Sequence, residues 1–274
     1  MPLTLLKRKV CDITHIELQR FINQWGKDAS KSYINKMRSF LNLTFALAIE
    51  NGVRRSNPTR ELKYPDKQER PREVFTRDEI LQIVSYAREY RQNESNESCK
   101  EDGKFVAYSI LFMLFTGVRR GELLGLMWSD IDKAQGRIHL KRAVYIEDTG
   151  APMVQDYKMK TEGSLRDIPC PNYLQSLLEE LPRRGKYVFA TKDGGIQNPH
   201  NFSRAFKRFF ERMEKDTGFS KQLSTHACRH TFATEALKHG NLRAVQQALG
   251  HTQIVTTARY LHPDFEQKNV LSML

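Results

Sequence analysis

Late in this 274-residue chain two histidines, an arginine and a tyrosine are crowded together: His226, Arg229, His251 and Tyr260. A guanidinium is always charged and binds two oxygens of an oxyanion at once. An imidazole moves protons near neutral pH. A phenol becomes a nucleophile once a neighbour helps it lose its proton, since its ordinary pKa is near ~10. Such a set suits attack by a hydroxyl on a charged oxyanion. A zinc reading is open on spacing alone, because His226 and His230 are four apart. However, a metalloprotease helix places Glu directly after the first histidine, and here that residue is Ala227. No metal site is expected.

The elements that must hold these groups can be read around them. Thr225 is a suitable N-cap for a helix whose apolar stripe is Ala227, Phe232, Ala233, Ala236 and Leu237, stopped by Gly240. On it His226 and Arg229 share a face. A second helix, residues 242–249, ends at Gly250 and presents His251; a third, starting near Thr252, carries Tyr260. Upstream, residues 105–115 are almost all apolar and predict a buried helix ended by Gly117. Arg119 begins the next helix, which Leu123, Leu124, Leu126 and Trp128 bury, leaving Arg119 and Glu122 to face a cleft and Arg120 to point elsewhere. Residues 137–146, 152–160 and 165–168 predict a three-stranded antiparallel sheet with a tight turn at 161–164 between its last two strands. Lys158 and Lys160 fall on one face of it. Thr76 to Glu79 reads as a capping box opening a helix to Tyr90, followed by a polar loop over 91–102. Further helices are expected at 171–181 and 201–214, the second with Arg204, Lys207 and Arg208 on a basic face.

The front of the chain predicts two helices, 14–25 and 30–50, with Lys31, Lys36 and Arg38 on the second as candidate contacts for a polyanion. Pro58, Pro65 and Pro71 then punctuate a basic, polar stretch read as an extended linker. The expected division is residues 1–60, 61–75 and 76–274. A net charge of +12 favours a polyanionic partner, nucleic acid before membrane. With no long apolar run and no signal peptide, a cytoplasmic protein is expected. Cys11, Cys99, Cys170 and Cys228 are scattered and read as reduced, non-ligand thiols. The fold expectation is mainly α with a small antiparallel β-sheet, an α+β chain.

The segments HACRHTFAT, LGH and TTARYLH together resemble box II of the tyrosine recombinases, the phage integrase family. TGVRRGELLGLMWSDID resembles box I, and KTEGSLRDIP the family's lysine hairpin. The IT-x-x-x-L-Q-x-F motif from Ile13 resembles the start of its core-binding domain, which here looks partial because further helices usually come first. The resemblance implies six catalytic residues: Arg119, Lys160, His226, Arg229, His251 and Tyr260, with Glu122 in support. Tyr260 would attack a DNA phosphodiester, giving a 3′-phosphotyrosyl link. Two arginines would neutralise the phosphate, His226 would act as base, and Lys160 would protonate the leaving 5′-oxygen. No metal or nucleotide cofactor is implied. Protomers would act as dimers to tetramers on DNA, exchanging a C-terminal tail that begins near Phe265. Mobile-element integration and excision is the favoured role. A chromosome-dimer resolvase, a non-catalytic DNA-binding copy and a type IB topoisomerase are the alternatives.

Overall fold

A computed structural model describes residues 8–67, 73–90, 97–157, 165–239 and 242–250, with backbone only at 97–102, 239, 244 and 247. The chain divides into two compact units, Met1–Pro71 and Arg72–Leu274.

In the first unit, helix α1 (His15–Trp25) opens on a reciprocal capping box. The Thr14 amide donates to Glu17 at 2.9 Å, and the Glu17 amide donates to the Thr14 hydroxyl at 3.3 Å. Helix α2 (Lys31–Glu50) starts at Ser30, whose hydroxyl accepts from the Tyr33 amide. Leu18, Phe21 and Ile22 of α1 pack against Leu41 and Phe45 of α2. The stretch read as an extended linker instead folds back on this core as far as residue 67. Leu62 is buried among these side chains, Gln19 exchanges two hydrogen bonds with the Lys63 backbone, and Arg54 donates to the carbonyls of Val10 and Ile13. One leucine and a set of side chain-to-backbone bonds anchor it, which no apolar periodicity announces.

In the second unit, α3 (Arg77–Glu89) begins with the capping box expected at Thr76 and Glu79. Its long neighbour α4 (Glu97–Thr116) corrects the expected polar loop over 91–102, because the helix already runs from Glu97. Polar residues without a proline let the helix extend ahead of its apolar run, with Gly103 alone too weak a breaker. The middle of α4 is fully buried through Ile110, Phe112 and Met113. After α5 (Arg120–Gly125) come β1 (Ile131–Asp132), β2 (Arg137–Leu140), β3 (Arg142–Ile146), β4 (Pro152–Asp156) and β5 (Arg166–Pro169).

The sheet also differs from expectation. The run 137–146 breaks at Lys141 into strands of two separate antiparallel sheets, β1-β2-β5 and β3-β4. Among the described residues the last two strands do not pair with each other: Val144 faces Val154, while Ile138 faces Ile168, and the turn expected at 161–164 lies outside them. The chain changes partners where the Arg142 side chain is drawn to buried Asp130 and to Asp156. Ile138, Leu140 and Val144 are buried on one parity across the break, with only the half-buried Arg142 between them, so the period-2 pattern does not show that the chain changes sheet.

Helices α6 (Asn172–Glu179), α7 (Pro199–Thr217), α8 (Thr225–His239) and α9 (Leu242–Leu249) complete the described unit. Phe202, Phe206, Phe209 and Phe210 line the inner face of α7. The buried Thr231 hydroxyl of α8 accepts the Phe75 amide at 2.9 Å, tying the start of the unit to the site helix. Among the described residues no helix is long and apolar enough to cross a membrane.

Candidate active site

Gly117 ends α4 with φ +64, a left-handed turn that L side chains rarely adopt, and a Cβ there would run into the Phe232 ring. This turn delivers Arg119 to the residue before α5, in extended backbone geometry. Arg119 donates twice to Glu122: its amide reaches Oε2 at 2.8 Å and its guanidinium reaches Oε1 at 2.9 Å. The Arg119 side chain is 41% exposed, so the guanidinium lies at the surface with its orientation set from below.

Glu122 does not face a cleft, as the sequence had suggested; at 1% exposure it is buried. The reason is its partners. Arg166 of β5 binds both carboxylate oxygens at 2.9 Å, and the Tyr157 hydroxyl donates at 3.2 Å. Burial would raise the Glu122 pKa, but the Arg166 hydrogen bonds and charge, joined by Arg119, outweigh it and hold the carboxyl at about 2. Tyr157 is pushed the other way, to about 12, by burial and by the Glu122 charge. The cluster is one carboxylate between two guanidiniums, so its net charge is positive.

On α8, Arg229 and His226 lie one turn apart but in different environments. Arg229 is only 4% exposed, and its guanidinium donates to the Gly117 carbonyl at 2.8 Å and the Leu249 carbonyl at 2.5 Å. His226 is exposed. It borders a cavity of about 400 Å³ whose other walls include Arg120, Ser203, Phe206 and Lys207. Arg120 donates to the Ser203 hydroxyl, away from Arg119 as expected. Arg229 thus joins three stretches far apart in sequence: the turn before α5, α8 and the end of α9. Gly250 follows α9 with φ +65. Lys160, His251 and Tyr260 lie outside the described residues.

The outlying DNA-contact candidates divide into two groups. Arg204, Lys207 and Arg208 are exposed on one face of α7, where Lys207 also pairs with Glu211 at 3.1 Å. Lys31 and Arg38 share a face of α2 that meets the folded-back stretch, through Asp66 at 4.0 Å and the Tyr64 ring at 5.5 Å respectively. Lys36 is exposed roughly 140° around the helix from Lys31. Sequence reasoning gave no role to Arg166 or Tyr157. Arg166 stands within the KTEGSLRDIP stretch, yet nothing in its neighbours shows that its partner is a carboxylate in box I.

A half-exposed arginine braced by a buried carboxylate, with a buried arginine and an exposed histidine on one helix, forms a cationic cluster of the kind that can bind an oxyanion, set in a mainly helical α+β unit. The phage integrase family's sequence pattern matches residues 73–267, and the chain belongs to that family, the site-specific DNA recombinases of the tyrosine type. A XerC-like tyrosine recombinase of Caldanaerobacter subterraneus subsp. tengcongensis is 29% identical over 95% of this chain and 70% of its own length. A tyrosine recombinase of Thermosipho africanus is 23% identical over 97% of this chain and 86% of its own. Among solved structures, the Tn1549 transposon integrase in complex with transposon right end DNA is similar at TM-score 0.77 and 20% identity, covering 94% of this chain and 84% of that one. At such identity the likeness speaks for the fold alone.

Proposed function

We propose that this chain cuts and rejoins duplex DNA at specific sites through a 3′-phosphotyrosyl link to Tyr260, in the integration and excision of a mobile element. The observation that carries the reading is the convergence of Arg119 and Arg229 on the Gly117 turn, with His226 one helical turn from Arg229. In this reading residues 76–274 carry the chemistry, residues 1–60 grip the duplex and residues 61–75 connect them. Arg119 and Arg229 neutralise the non-bridging oxygens, where charge grows in the transition state. His226 takes the phenol proton, His251 donates to the phosphate, and Lys160 protonates the leaving 5′-oxygen. The covalent link conserves the bond energy for rejoining. The DNA-bound integrases of similar fold, among them a lambda integrase dimer on a core site and a tetramer on a Holliday junction, support duplex DNA as partner and action as a dimer to tetramer. A cytoplasmic location follows from acting on DNA. The XerC-like relative favours a second reading, resolution of chromosome dimers by the same chemistry.

The test is a nicked duplex tiled from DNA flanking the encoding gene, which traps the covalent intermediate on a denaturing gel. Wild type should give a slow-migrating adduct, Tyr260→Phe none, and Arg119→Ala about 10²–10³ less. Normal duplex binding without an adduct in wild type would leave only the DNA-binding alternative.

A further inference from the structure

Arg166 makes three hydrogen bonds to two parts of the site at once. Its terminal nitrogens bind both oxygens of Glu122 at 2.9 Å, and its Nε donates to the Ala248 carbonyl at 2.8 Å. Its side chain is only 7% exposed. Glu122 in turn orients Arg119 through backbone and guanidinium. The next carbonyl along α9, that of Leu249, accepts from Arg229. Two arginines therefore tie the last turn of α9 to box I, one to Glu122 and the other to the Gly117 carbonyl. Cations at a helix C-terminus also meet the negative end of its dipole. A guanidinium is planar and its N–H directions are fixed, so three bonds from one group set the angle between the start of α5 and the end of α9. In sequence, Lys160 lies shortly before Arg166 and His251 shortly after Ala248.

We infer that Arg166 is a positioning residue for strand transfer, fixing Arg119 through Glu122 and the exit of α9 toward His251 through the Ala248 carbonyl. This rests on the proposed phosphotyrosyl reading. Arg166 itself is held by protein acceptors beneath Arg119. Its effect on the reaction is carried by the groups it orients, and misplacement of such groups by about 1 Å costs on the order of 10²-fold in rate.

The test uses the full chain with Arg166→Lys, Arg166→Gln, Glu122→Gln and the double variant Arg166→Lys/Glu122→Gln. Duplex affinity, thermal midpoint, and both the rate and the amplitude of single-turnover cleavage at saturating nicked duplex are measured. Arg166→Lys keeps the charge but loses the fork. It should bind the duplex within about twofold of wild type and cleave about 10- to 100-fold slower at full amplitude. The double variant should be no slower than the slower single variant, because the pair acts as a unit. A merely structural arginine would lower the midpoint and the amplitude and leave the rate of the folded fraction unchanged. That result, or a folded Arg166→Lys at wild-type rate, overturns the inference. Should Arg166→Gln fail to fold, Arg166→Lys decides. Absence of an adduct in wild type overturns the phosphotyrosyl reading itself, and the positioning role with it.

Discussion

Glu122 is held at about 2, below its ordinary 4.5, while buried between two guanidiniums. A carboxyl with a lowered folded pKa stabilises the protein above its unfolded value, and that contribution is lost as pH falls through the folded one. Here it amounts to about 3 kcal/mol, complete above pH 4.5 and lost toward pH 2. Glu122→Gln should therefore lower stability at pH 7 by roughly 3 kcal/mol, and its gap to wild type should narrow as the pH drops below 4.5. Urea titrations of both proteins across that range check the sign; a gap that widens in acid would contradict it. Tyr157 is a phenol close to Arg119. Raised to about 12 and donating to Glu122, it keeps its proton at neutral pH. Tyr157→Phe should still form the covalent adduct, at a stability cost of about 1 kcal/mol, whereas Tyr260→Phe should form none. An adduct that disappears with Tyr157 would reassign the nucleophile.

At the scale of elements, the site depends on how α4 ends. Gly117 supplies a positive φ, passes the chain beneath Phe232, and offers its carbonyl to Arg229. Gly117→Ala would meet both left-handed strain and the Phe232 ring, and should destabilise by about 2 kcal/mol or more. A lower denaturant midpoint with unchanged slope is the expected reading. At this scale the sequence was a good guide to helices. The capping box at Thr76, the stop at Gly117 and the apolar run of α4 all mark local physics. It was a poor guide to strand partners, because the alternation of Ile138, Leu140 and Val144 is the same whether or not the chain changes sheet at Lys141.

At the scale of the whole molecule, the net charge of +12 bears on binding rather than on fold. If the α7 face meets DNA phosphates, log affinity should fall linearly with log salt concentration. Lys207→Gln should then weaken binding similarly across sequences and reduce that slope by about one. A slope unchanged by the substitution would remove Lys207, the α7 cation that also lines the cavity beside His226, from the interface.

What the sequence determined by itself is whatever depends on near neighbours. Helix starts and stops, the apolar faces, and the resemblance of boxes I and II all sit in stretches a few turns long. From these came the family and the candidate residues Arg119, His226 and Arg229. Tertiary structure alone decided how those residues are used. Glu122 is buried, not cleft-facing, because Arg166 arrives from a strand 44 residues away in sequence. Arg229 reaches a carbonyl 112 residues upstream and another at the end of α9, so a residue chosen as a phosphate clamp also holds the site together. Buried hydrogen bonds of this kind form only when packing has excluded water and brought distant segments within about 3 Å, a condition that no local pattern encodes.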